Sequence, residues 1–190
     1  MSAVLFTLSG LLGEGPVRPY HGQGRALPVC PPHHQAKVEM FGPDRDAVML
    51  RWDEVYAMID AGTFEIHSHT HTHTRWDLSC SSANEKSDKI RHDLEASRQT
   101  LIEKLGGVST HLCWPHGYYD GDYKRVAGEL GFRHLYTTDA RGQNRPKGDT
   151  SHIYRFAVRD RSFPWLRQRV WVATHPTWGP RYNAWKAGRT

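Results

Sequence analysis

Apolar positions along this chain recur with two periods. Residues 51–61 place Trp52, Val55, Tyr56 and Ile59 at helical spacing, with Gly62 as the stop. Residues 82–105 set Ile90, Leu94, Leu101 and Leu105 on one stripe ahead of Gly106-Gly107. The charged remainder of that stretch, including Glu85, Lys86, Asp88, Lys89 and Arg91, reads as a solvated face. Residues 123–130 carry Val126 and Leu130 four apart before Gly131, and a further helix is expected over 165–173. Between these lie short apolar runs, 4–10, 63–66, 110–113, 134–137 and 153–158, each read as a strand. Strands alternating with helices imply parallel pairing through right-handed crossovers. In such folds the residues just past the strand C-termini converge on one rim. The expected fold class is therefore α/β, a distorted (β/α) barrel formed by one domain over residues 1–190, with no internal repeat or linker. Residues 13–43, rich in Gly, Pro and His, read as a long excursion loop, and 139–151 as a polar loop.

One run stands out chemically. His67-Ser68-His69-Thr70-His71-Thr72-His73 holds four of the chain's 13 histidines directly after the 63–66 strand. Neutral imidazole is the commonest protein ligand for zinc and its neighbours, so this density points to a metal. In an extended strand, positions four apart are separated by roughly 13 Å, too far for one ion. The chain must therefore turn with helix-like curvature to bring i and i+4 together. Both His67/His71 and His69/His73 satisfy that requirement, and spacing alone does not choose between them.

The stretch from Glu65 to His73 resembles a motif of the polysaccharide deacetylase family, which reads roughly E-I-G-S-H-T-x-T-H-P. Carried over residue by residue, the resemblance makes His69 and His73 the metal ligands. His67 then stands at the usual Gly, His71 at the variable position and Thr74 at the usual Pro. Downstream, Leu112-Cys113-Trp114-Pro115-His116-Gly117-Tyr118-Tyr119-Asp120 resembles the family's aromatic-rich P-x-G turn, a wall of the substrate groove. By that resemblance Trp114, Pro115, Gly117, Tyr118 and Tyr119 are the expected substrate-binding residues. The family's T-F-D-D-G motif, with its general base and third metal ligand, has no counterpart, because the chain contains no Asp-Asp pair. Residues 4–10 resemble the strand that follows that motif, so the barrel is expected to be incomplete at its N-terminus, lacking its first strand and helix. Asp77 and Asp120 are alternative third ligands, and Asp77 also a candidate acceptor for a ligand His N–H. The family's general acid is a late His, for which His175 is the candidate.

Composition narrows the setting. Hydrophobic content is 38% and the net charge is +5, with a mean hydropathy of -0.67. No run approaches the roughly 18 apolar residues of a membrane span, so no transmembrane segment is expected. Residues 1–12 read as a strand rather than a signal peptide, so the chain as it stands would be cytoplasmic, with the cell envelope as the alternative if an export signal precedes it. Cys30, Cys80 and Cys113 lack paired spacing, which argues against a disulfide framework or a cysteine zinc site. Lys and Arg form no nucleic-acid stripe, and the basic, Trp-containing residues 161–190 read as a packed terminal segment with a solvated basic face. His33-His34 reads as a surface pair.

The resemblance implies metal-dependent hydrolysis of N-acetyl groups on a polysaccharide or oligosaccharide. The partner would be an N-acetylated glycan, and the cofactor a divalent ion, zinc first, with cobalt or nickel as substitutes. Two other readings are a deacetylase-like glycan-binding domain without catalysis and a His-rich metal-binding protein.

Overall fold

The computed structural model describes residues 3–158 and 160–188. Four strands, β1 (Ala3–Thr7), β2 (Phe64–Ser68), β3 (His111–Cys113) and β4 (His134–Tyr136), form one parallel sheet in the order β1-β2-β3-β4. Each strand is added on the same side of its predecessor, the winding of a barrel wall. Ile153 extends the wall by a single parallel bridge to Tyr136.

The sheet is strongly curved. The outer strands β1 and β4 would lie about 14 Å apart in a flat sheet of four strands, yet the rings of Phe6 and Tyr136 meet with centroids 4.8 Å apart. Phe6, His67, His111, His134 and Tyr136 therefore face the concave side. His67, His111 and His134 form a cross-strand stack there, with centroids 4.5 and 4.2 Å apart and rings within 15° of parallel. Each ring's Nδ1 meets a hydroxyl, of Ser109, Tyr136 and Thr110 respectively. Among the described residues the wall does not close into a barrel, and no helix is long and apolar enough to cross a membrane.

Helices cover the convex side. α3 (Trp52–Asp60) and α5 (Ala83–Leu105) sit close to their expected limits. The Ser82 hydroxyl accepts from the Glu85 N–H at the start of α5, and Gly106 ends it in the left-handed region at φ 74°. α5 serves two cores. Ile90 and Leu94 pack with Leu112, Trp114, Val126, Phe132 and Leu135, beneath α6 (Gly121–Glu129). Leu101 packs with Leu12, Trp52 and Val55. α7 (Phe163–Thr174) meets expectation, and α8 (Trp178–Ala187) follows it.

Two expectations are corrected, and one short helix is added. The 13–43 loop contains α1 (His33–Glu39), and α2 (Arg45–Val48) follows it; neither buries a residue, so neither carries an apolar stripe that periodicity could detect. The 153–158 run is not a strand, since only Ile153 finds a pairing partner among the described residues. A short helix, α4 (Trp76–Ser79), begins three residues beyond His73.

The excursion is pinned to α3 by one carboxylate. Glu54, only 9% exposed, accepts from Arg18 Nε at 2.7 Å and Nη2 at 2.6 Å, and from the backbone N–H groups of Arg18 and Arg51. Burial alone would raise its pKa, but these bonds outweigh it and hold the carboxyl below its ordinary value. A depressed carboxylate stabilises the fold above its unfolded pKa, and that stability is lost as pH falls through the folded value. Glu54→Gln is therefore expected to cost about 2–3 kcal/mol at neutral pH and to flatten the acid limb below about pH 4.5. Urea melts of both forms between pH 7 and 3 would check this, and parallel acid limbs would refute it.

Candidate functional site

The His run leaves β2 at Ser68 and does not continue as a helix. Thr70 and His73 instead adopt left-handed backbone, φ 70° and 63°, and this turn brings the His69 and His73 rings to 5.0 Å. The helix-like curvature expected from the spacing is thus replaced by two left-handed residues, a conformation costing about 1–2 kcal/mol at each non-glycine position. The loop is secured from both sides. On the β1 side, the Ser9 and Gly10 N–H groups donate to the carbonyls of Thr70 and His71, and the His69 N–H donates to Thr7. On the α5 side the buried Asp93 carboxylate accepts from the His71 and Thr72 N–H groups, each at 2.9 Å, from the Thr72 hydroxyl at 3.0 Å and from Trp76 Nε1 at 2.9 Å.

The four histidines of the run separate into different environments. His67 belongs to the concave stack, and His71 meets the Ser9 hydroxyl through Nδ1 at 3.0 Å. His71 also lies against Gly10, where a Cβ would come within 2.6 Å of the imidazole. His69 and His73 remain as the convergent pair. His69 Nδ1 lies 2.7 Å from the Cys113 carbonyl oxygen. A carbonyl only accepts, so Nδ1 carries the proton and Nε2 presents its lone pair, the tautomer a metal ligand needs. Desolvation lowers the pKa of both rings. For His69 the Cys113 contact offsets part of that effect; for His73, neighbouring His69, His116 and Lys37 add to it, bringing the value down to about 4. Both imidazoles are accordingly neutral at pH 7.

This donor set fits a divalent ion in part. Two neutral imidazoles are in place, but no group of three or more His, Cys, Asp or Glu among the described residues is arranged to hold an ion as the side chains stand. Asp77 and Asp120 are committed elsewhere. Asp77 pairs with Arg75 through two bonds of 2.7 and 2.6 Å, while Asp120 caps α6 and pairs with Lys86. The acceptor for the His69 N–H is the Cys113 carbonyl, not Asp77.

The second motif lies on the same rim, just past β3. Pro115–Gly117 form a 3-10 turn, and Gly117 at φ 72° packs so closely that a Cβ would fall 2.0 Å from the Thr138 hydroxyl. Trp114 is 1% exposed and packed in the core, so its ring cannot lie against a sugar, and Pro115 is buried beside it. Tyr118 and Tyr119 are half-buried. Tyr118 lies under the Arg75 guanidinium at 4.2 Å. The Tyr119 hydroxyl meets His152 Nδ1 at 2.5 Å, and His152 Nε2 lies 3.3 Å from Asp139. The carboxylate can only accept, from Nε2–H, which leaves Nδ1 to accept from the tyrosine hydroxyl. His175 sits between α7 and α8, where its Nδ1 accepts from the Thr177 and Trp178 N–H groups; its ring contact is Trp171.

Sequence reasoning missed Asp93, His116, Asp139 and His152. Asp93 and Ser97 fall on the same stripe as Ile90, Leu94 and Leu101, and polar residues at apolar positions of a helix are the signal that could have found them. His116 lies 4.5 Å from His73, ring to ring.

The polysaccharide deacetylase family sequence model matches residues 18–135, and no curated protein matches the chain. Similar solved structures include the following three. A de-N-acetylase from Aggregatibacter actinomycetemcomitans shares 18% identity over 88% of this chain and 64% of its own, at a TM-score of 0.59. IcaB from Ammonifex degensii shares 18% over 90% and 61%, at 0.57, and the deacetylase domain of BpsB from Bordetella bronchiseptica 17% over 82% and 60%, at 0.54. The chain spans about three-fifths of the length of these relatives, and at such identity the likeness is one of fold. The family match extends across both the His run and the P-x-G turn, and on that basis the chain belongs to the polysaccharide deacetylase family.

Proposed function

We propose that the chain carries the metal-binding and glycan-facing part of a deacetylase that removes N-acetyl groups from a polysaccharide or oligosaccharide. The observation that carries this reading is the His69/His73 pair, with the His69 tautomer set by the Cys113 carbonyl. In the hydrolysis, water adds to the acetyl carbon, the amide C–N bond breaks, and the proton given up by water ends on the sugar amine, yielding acetate and a free amino sugar. A divalent ion supplies two things when bound: it polarises the carbonyl oxygen and lowers the pKa of water from 15.7 towards about 7. His69 and His73 would hold it, and their neutral state at pH 7 keeps both lone pairs available. Tyr118 and Tyr119 are the aromatic groups on the rim with partial exposure, suited to the apolar faces of a sugar ring. The Tyr119 hydroxyl is held by His152.

Support comes from the family match and from the activities by which similar proteins are named, among them a de-N-acetylase and a polysaccharide deacetylase from Bacillus cereus. The test is acetate release from N-acetylated oligosaccharides, with the protein stripped by chelator and then reloaded with Zn or Co. Release that vanishes on stripping and returns on reloading is the expected outcome. Sugar binding without any acetate release would replace this reading with that of a glycan-binding module.

A further inference from the structure

Three of the four described non-glycine residues with left-handed backbone, Thr70, His73 and His116, surround one spot; the fourth is Lys147. Backbone strain of this kind persists where surrounding structure enforces it, and it concentrates at functional sites. Two of the three are histidines whose rings lie 4.5 Å apart, and the third holds the turn between His69 and His73.

Ring geometry separates this group from the other histidine cluster. Two imidazoles sharing one ion at Zn–N distances of roughly 2.0–2.1 Å have ring centres about 4.5–5.2 Å apart and cannot lie stacked face to face. His69–His73 and His73–His116 have centroids 5.0 and 4.5 Å apart, inclined by 55° and 40°. The His67–His111–His134 stack has similar spacings, but its rings are inclined by only 15° and 13°. In-plane lone pairs of parallel rings run side by side and do not meet, and the Nδ1 atoms of that stack are already engaged by hydroxyls. By contrast, the ring nitrogens of His73 and His116 have no hydrogen-bond partner among the described residues. His116 is exposed, so rotation about its own side-chain bonds is unobstructed by core packing.

We propose that His116 swings onto the His69/His73 pair as a third imidazole, giving this chain a tris-histidine ion site. The P-x-G turn thereby contributes a ligand as well as a groove wall. His116 adopts left-handed backbone with its ring already 4.5 Å from that of His73, and the next residue, Gly117, is packed tightly against Thr138. Three imidazole ligands would leave a four-coordinate ion one open position for water or substrate.

This inference rests on the metal reading of the site, and one set of titrations distinguishes the two. The full chain would be titrated with Co(II), followed by visible absorption, and with Zn(II) in competition, alongside H116A, H116G, H73A and a control, H21A. Glycine suits left-handed backbone, so H116G removes the ring without adding strain, and circular dichroism would confirm that each variant is folded. One ion per chain is expected for the parent and for H21A. H116A and H116G should weaken binding by at least about 100-fold, the upper end of what loss of a merely supporting group costs, and should alter the Co(II) spectrum. If H116G binds with parental affinity and spectrum while H73A does not bind, His116 is no ligand and the two-histidine site stands. If the parent binds neither ion, the metal reading fails and the third ligand with it.

Discussion

His73→Ala is expected to abolish both metal retention and acetate release. His73 is the ring that contacts both other imidazoles of the rim, His69 at 5.0 Å and His116 at 4.5 Å, so its removal breaks the set at the centre. An ion contributes several kcal/mol of transition-state stabilisation in such hydrolyses. At about 1.4 kcal/mol per factor of ten, its loss lowers the rate by roughly three orders of magnitude or more. His69→Ala should match this effect. His71→Ala should not, because that ring is turned to Ser9 and Gly10 on the β1 side. Elemental analysis of the three variants after gel filtration, with acetate release measured in parallel, checks the assignment. Metal lost from H71A but kept by H73A would overturn it.

Asp93→Ala should be the most destabilising single change away from the imidazoles, although Asp93 touches no ligand ring. Its carboxylate is 4% exposed and accepts from two backbone N–H groups, a hydroxyl and an indole. Truncation strands these donors, each at about 1–3 kcal/mol if it stays dry. Partial relaxation of the loop brings the expected total to about 4 kcal/mol, in the range reserved for broken buried networks. Asp93→Asn keeps one acceptor oxygen and should fall between the two. Chemical denaturation gives the stability, and a metal titration of the folded fraction gives the second readout. The ion should bind more weakly in both variants, because His71 and Thr72 set the path from His69 to His73. Parental stability in D93A would show that water replaces the carboxylate without loss.

Much of this arrangement is legible in the amino-acid pattern. The periodicity of Trp52, Val55 and Ile59, and of Ile90, Leu94 and Leu101, locates α3 and α5 because each buries an apolar stripe. Alternation of strands and helices implies the parallel sheet that is observed. α1 is hidden because none of its residues is buried, and periodicity reports only helices that bury a face. Residues 153–158 mislead because apolar character licenses a strand only where a neighbour offers a continuous ladder, and among the described residues only Ile153 forms a strand bridge. At the site, spacing leaves His67/His71 and His69/His73 equivalent. The difference lies in two left-handed residues and a carbonyl from β3, which no local pattern encodes. His116 escapes for the same reason: it is 43 positions from His73, and only the rim brings them together.

The loop that carries His69 and His73 is tied at once to β1, through Ser9 and Gly10, and to α5, through Asp93. The unfolded chain cannot reproduce that double tether, so an ion held there selects the folded molecule and its binding free energy becomes folding free energy. At a free concentration one hundred times its dissociation constant, such a ligand adds about 2.7 kcal/mol to the free energy of unfolding. On the proposed metal reading, those tethers would make the lifetime of the protein in a protease-rich environment a function of local metal supply: starvation would remove the folded molecule itself.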